Sequence, residues 1–136
     1  MQLQLEELLF PVLEMRTNTN HDQKGDRAGT MLQYGQQLQR LDGEAVRYGL
    51  MVSVRNDDEK SRNAPYNFMV EAYGILLVTE STLDAEAEAA AVTANGLAIV
   101  MGAIRERLAD LTSRAPWGRF LINAVNLPAP ATISVI

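Results

Sequence analysis

The chain has 136 residues, 47% of them hydrophobic and 21% charged, which suits a single domain spanning 1–136 with a core of its own and argues against wholesale disorder. A net charge of −5, two lysines (Lys24 and Lys60) and scattered arginines leave no basic stripe for phosphates, so no nucleic-acid partner is expected. The absence of cysteine excludes disulfides, thiolate metal sites and cysteine nucleophiles, and a cytoplasmic setting is expected.

The first residues, Met1-Gln2-Leu3-Gln4-Leu5-Glu6-Glu7, have no basic segment ahead of an apolar one and do not read as a secretory signal. No apolar run approaches the roughly 20 residues of a membrane span, so no membrane association is expected. Over residues 2–15, alternation holds at Leu3 and Leu5 and again at Leu8, Phe10 and Val12, with the phase slipping between Glu6 and Leu9. A bulged strand accounts for the slip, and Pro11, which cannot donate to a ladder, favours an edge. A short helix is the competing reading. Residues 16–29 are rich in turn formers and read as a solvated loop holding the single histidine, His21, beside Asp22. One histidine lacks the further ligands that a metal site requires, so no metal or cofactor is expected.

Residues 31–41 alternate weakly, with Leu32, Tyr34 and Leu38 on one face. Asp42-Gly43 then gives the signal of a two-residue hairpin turn. Residues 46–55 are the clearest strand, with Val46, Tyr48, Leu50, Val52 and Val54 on one face and Arg47, Gly49, Met51, Ser53 and Arg55 on the other. A polar connection, Asn56 to Asn63, leads to a fourth strand over 66–78. There Tyr66, Phe68, Val70, Ala72, Leu76 and Val78 share one face, and Met69, Tyr73, Ile75 and Leu77 the other. A small domain buries one sheet face, so the second apolar face is expected to meet another subunit or a ligand.

Residues 84–112 carry an apolar stripe at helical spacing: Leu97, Val100, Met101, Ile104, Leu108 and Leu111. Ser81 and Asp84 are candidate initiators and Thr93 a later one. Asp84, Glu86 and Glu88 near the start and Arg105 and Arg107 near the end complement the helix dipole. Gly96 and Gly102 each cost about 1 kcal/mol relative to alanine, which close approach of another helix would offset. With Val100 and Ile104 they form the candidate oligomer interface, a plain core helix with incidental glycines being the alternative. Pro116 ends the helix. Trp117, Phe120, Leu121 and Ile122 form an apolar cluster after it, and a breaker, Leu127-Pro128-Ala129-Pro130, precedes an apolar end within the tail 113–136.

No serine elbow, phosphate loop or zinc-protease string is present, and the acidic run Asp57-Asp58-Glu59 reads as a solvated turn, so no catalytic residue is assigned and no enzyme is expected.

The order of four strand-like segments, one long helix and an aromatic-bearing loop resembles the SecB family of export chaperones. Three strings carry the resemblance: Tyr66-Asn67-Phe68-Met69-Val70-Glu71-Ala72-Tyr73-Gly74, then Ala103-Ile104-Arg105-Glu106-Arg107-Leu108, then Leu111 to Gly118 continuing to Asn126-Leu127-Pro128. It covers about residues 5–128. The resemblance implies an α+β fold, a four-stranded antiparallel sheet followed by a long helix packed on one face, assembled as a dimer or as a tetramer built from two dimers. It also implies a holdase that binds unfolded polypeptide clients in apolar grooves without nucleotide or metal. Carried onto this chain, the groove candidates are Tyr66, Phe68, Trp117, Phe120 and Leu121. The family's second helix and acidic tail have no counterpart here, where Ala129–Ile136 contain no acidic residue, so the resemblance does not by itself imply handover of clients to the motor SecA. Relatives that serve toxin–antitoxin systems are equally compatible. The alternative is a structural or regulatory homo-oligomer of the same fold whose second apolar face is consumed by subunit contacts.

Overall fold

A computed structural model describes residues 1–25, 30–56, 61–122 and 134–135. Four strands come first in the chain: β1 (Gln2–Thr17), β2 (Leu32–Leu41), β3 (Val46–Asn56) and β4 (Tyr66–Thr79). They are followed by the helix α1 (Ala85–Thr112) and a short strand β5 (Ser134–Val135). The sheet order is β2-β3-β4-β1-β5; the first four strands pair antiparallel, and β5 joins β1 parallel. This is the α+β arrangement expected, with a fifth strand contributed by the tail.

The alternation of β4 explains its central place. Tyr66, Phe68, Val70, Ala72, Leu76 and Val78 are all buried on the side facing α1, and the residues between them are half-buried on the other side. The phase slip read in β1 is a pair of register shifts against β4, between Leu5 and Glu7 and between Leu9 and Val12. Each shift returns an apolar residue to the helix side: Leu5 lies opposite Leu76, Leu8 opposite Gly74, Leu13 opposite Val70 and Met15 opposite Phe68. Pro11 falls inside the second shift, where a missing amide donor removes no ladder bond.

The β2–β3 hairpin is wider than its Asp42-Gly43 signal implied. The ladder closes at Leu41 opposite Arg47, and residues 42–45 connect the two strands. Gly43 nonetheless takes a φ of +147°, open to glycine without the strain a Cβ would bring.

Asp84 is the helix N-cap, its carboxylate accepting from the Ala87 amide at 2.8 Å. Ser81 caps nothing in α1; its hydroxyl accepts from the Leu83 amide at 3.4 Å. Glu86 and Glu88 occupy the first turn as expected, but the last turn holds no basic residue. The helix runs on to Thr112, beyond Arg105 and Arg107, so the C-terminal half of the dipole reading is corrected. With 28 residues the helix is about 42 Å long. By length and composition α1 is apolar enough to cross a membrane, with a mean hydropathy of 1.5 over an 18-residue window, which the sequence reading missed. Its packing accounts for that apolarity: α1 lies along β3, β4 and β1. A Cβ on Gly96 would meet Leu76 Cδ1 at 2.6 Å and Leu50 Cδ2 at 3.1 Å, and one on Gly74 would meet Val100 Cγ2 at 3.2 Å. Two glycines on facing elements thus let helix and sheet approach closely.

That packing splits the candidate interface. Val100 and Ile104 are fully buried within the subunit and Gly96 is closed off by the sheet leucines, so these three have no surface to offer a second copy. Gly102 alone of the four is exposed, with nothing near its Cα hydrogen.

Candidate functional site

The aromatic residues singled out in the sequence meet at the end of the sheet where α1 terminates. The Tyr66 hydroxyl accepts from the Trp117 amide at 3.0 Å and donates to the Gly118 carbonyl at 2.8 Å. The Trp117 indole donates to the Asn18 carbonyl at 2.9 Å. The Phe68 and Phe120 rings pack with centroids 5.7 Å apart. Buried Thr112 ties this loop to the helix: its hydroxyl donates to the Leu108 carbonyl and accepts from the Phe120 amide, both at 2.8 Å. Tyr66, Phe68 and Phe120 are therefore core residues that fix the post-helix loop, and Trp117 is half-buried beside them. Only Leu121, 48% exposed, offers a free apolar side chain from that set.

His21 departs from the solvated-loop reading. It is buried, its Nδ1 lies 3.1 Å from the Asn63 carbonyl, and its ring sits 5.4 Å from that of Trp117. The loop folds inward because paired amides hold it. Asn18 bonds the Ala64 and Pro65 carbonyls through its side chain and its amide, and Asp22 and Asn63 exchange two bonds. No periodic signal marks this fold-back, since the partners lie more than 40 residues away. Among the described residues no group of three or more His, Asp or Glu side chains is placed to hold a metal.

The apolar groove lies elsewhere, between β1 and the second half of α1. It is open, encloses about 550 Å³, and has Leu8, Phe10, Ala103 and Ala109 as its apolar wall. Glu106, Arg107, Asp110 and Arg119 supply a rim of both signs. Arg107 stands over the Phe10 ring, its guanidinium carbon 5.9 Å from the centroid, an arrangement that keeps the side chain along the groove. None of these residues was among the sequence candidates. The alternation of Leu8 and Phe10 was visible, but that α1 stops short of covering them was not.

Two features surround the groove. Beyond Leu3, no described strand pairs with the outer edge of β1, leaving the main-chain donors and acceptors that point outward there open to an added strand. The sheet face away from α1 carries Leu9, 49% exposed, and the half-buried Met51, Met69, Tyr73, Ile75 and Leu77, and no described element covers it. Tyr73 lies flat on that face over Gly49, where a Cβ would collide with its phenol. Arg47 bonds the bulge residue Glu6 through both carboxylate oxygens, at 2.6 and 3.3 Å, and these bonds hold the Glu6 carboxyl below its ordinary pKa.

No family model and no curated protein matches the chain. Its fold is that of a solved SecB-like chaperone of Mycobacterium tuberculosis, determined in complex with a ChAD peptide from the antitoxin HigA1. The two superpose with a TM-score of 0.54 over 93% of each chain, at 16% sequence identity. The SecB-like fold expected from the sequence is thereby established; at that identity, the likeness is one of architecture.

Proposed function

We propose that this chain is a non-enzymatic polypeptide-binding module, a chaperone of the holdase type that keeps extended apolar segments of other proteins from aggregating. The observation that carries the reading is the groove of Leu8 and Phe10 running beside an open strand edge. An extended peptide laid along β1 gains main-chain bonds that tolerate any sequence, while the groove takes alternate apolar side chains. Burying two apolar client side chains contributes roughly 3–6 kcal/mol. Association entropy removes at least about 4 kcal/mol of that gain. The net affinity is weak, as a protein that must release its clients needs.

The fold neighbour's complex with an antitoxin peptide supports antitoxin-derived segments as the first client class to try, ahead of exported precursors. A cytoplasmic setting and assembly as a homo-oligomer belong to the same proposal, the first supported by the cysteine-free sequence and the second by the uncovered apolar sheet face.

The test is to mix the native protein with a reduced, unfolded client and follow light scattering, alongside anisotropy of a labelled apolar peptide. Suppression that rises with chaperone ratio, together with saturable peptide binding, is the expected result. Absence of both at every ratio sinks the proposal and leaves a second reading, a structural oligomer without clients. The sheet face of Leu9, Met51, Met69, Tyr73, Ile75 and Leu77 favours that second reading specifically, and a solution mass showing a monomer would remove it.

A further inference from the structure

We infer that the start of the β1 edge is an acceptor for a parallel strand whose occupant is the chain's own C-terminal segment, and that this tethered strand competes with polypeptide for the β1 side. The inference rests on the polypeptide-binding reading above. Ser134 pairs with Gln2 and Val135 with Leu3, extending a ladder already fixed on its other side by β4, where Gln2 and Leu3 lie opposite Thr79 and Val78. The segment suits the role. From Phe120 to Ile136 the sequence contains no charged residue, and it ends Ile133-Ser134-Val135-Ile136, three of the four being β-branched. A segment of that character resembles the clients a holdase captures.

The occupied stretch and the groove lie within reach of one strand-forming peptide. Leu8 is five residues beyond Leu3, about 17 Å along a strand. A client seated over Leu8 and Phe10 that extends toward the start of β1 therefore meets β5. Ile122, fully buried, anchors the tether, and twelve residue steps separate it from Ser134, a reach of up to about 43 Å. Covalent linkage over so few residues gives an effective concentration in the millimolar range, so even a segment that binds with a Kd of about 1 mM when free weakens a competitor severalfold. An edge that would otherwise be open to self-association is thereby partly covered until a client displaces the cover.

The test compares the full chain with one ending at Ile133, and with Val135→Asp in the full chain as a second route to the same loss. A fluorescent apolar peptide is expected to bind both variants about three- to tenfold more tightly than the full chain. A synthetic peptide of residues 127–136 is expected to bind the shortened chain and displace the fluorescent one. Amide exchange at Leu3 to Leu5 is expected to accelerate in both variants. Equal peptide affinity in the full and altered chains overturns the inference and leaves polypeptide binding standing. No binding by any of them sinks polypeptide binding itself, and the competition with it. A full-length dimer that dissociates on shortening overturns the intrachain tether, because the strand is then exchanged between copies.

Discussion

The two sides of the sheet are built from strands of similar pattern and end differently. β2 is glutamine-rich: Gln33, Gln36, Gln37 and Gln39 are exposed, Tyr34 is 46% exposed, and only Leu32, Leu38 and Leu41 are half-buried. Its side chains lie outside the main contacts of α1. β1 carries Leu3, Leu5, Leu8, Phe10, Leu13 and Met15 in or against the core, lies under the helix, and is flanked by the groove. Both strands have an outer edge, but one is protected by polarity and the other by a proline, two bulges and a short strand from the tail. Apolar content, rather than strand geometry, decides which edge of this sheet is suited to receive another chain.

Four experiments test that contrast. The largest effect is expected from Ile104→Ala, which empties a fully buried position under the helix and lowers stability by about 2–5 kcal/mol in denaturant titration. The matched change on the other side, Leu38→Ala, is expected to stay below about 1.5 kcal/mol because the side chain is only half-buried. If the two losses are equal, the sides are equally packed and the contrast fails.

Next is Thr112→Val, which keeps the shape but leaves the buried Phe120 amide without its acceptor. A loss of about 1–3 kcal/mol is expected, with a change in near-ultraviolet circular dichroism as the loop carrying Trp117 loosens. An unaltered spectrum and stability would mean that the loop is held without Thr112.

Smaller again is the effect on client binding. Phe10→Ala is expected to weaken peptide binding about tenfold, some 1.4 kcal/mol, by removing the groove wall, whereas Tyr34→Ala leaves affinity unchanged. Anisotropy titration decides, and a larger loss from the Tyr34 change would move the binding site to the β2 side.

The smallest effect is a pH response at the junction of the two sides. Tyr48, opposite Arg40 of β2, is buried and donates to Glu88 at 2.8 Å; burial first, and this bond second, raise its pKa. Its raised folded value means that stability is fully present below the unfolded pKa of about 10 and is lost as pH climbs through the folded one. Melting temperature is therefore expected to hold from neutral pH to about 10 and then to fall, less steeply in Tyr48→Phe. Identical alkaline slopes in both proteins would remove Tyr48 from the account.

Local pattern carried much of this architecture. The inward rows of β3 and β4, the bulge in β1 and the Asp84 cap all follow from residues a few positions apart, where alternation and capping chemistry act. The candidate site was less legible. The family resemblance implies Tyr66, Phe68 and Phe120 as groove residues, and their hydrogen bonds and ring contacts make them the closure of the core instead. Gly96 was picked as a subunit contact, and the close partner it accommodates is the sheet of its own chain. In each case the residue type was informative and its neighbour was not deducible.

The four main strands, the long helix and a surplus of apolar residues are written in local pattern, because periodicity is a property of adjacent positions; which of Ser81, Asp84 and Thr93 starts the helix is not. The folded chain alone reveals that His21 is buried against Trp117, that Leu8 and Phe10 line a groove with Arg107, and that the tail returns to the first residues of β1. Such facts depend on pairs far apart in the chain: the indole of Trp117 and the carbonyl of Asn18 that it bonds are 99 residues apart. No local spacing encodes a meeting of that kind; the packing of the helix on the sheet brings it about.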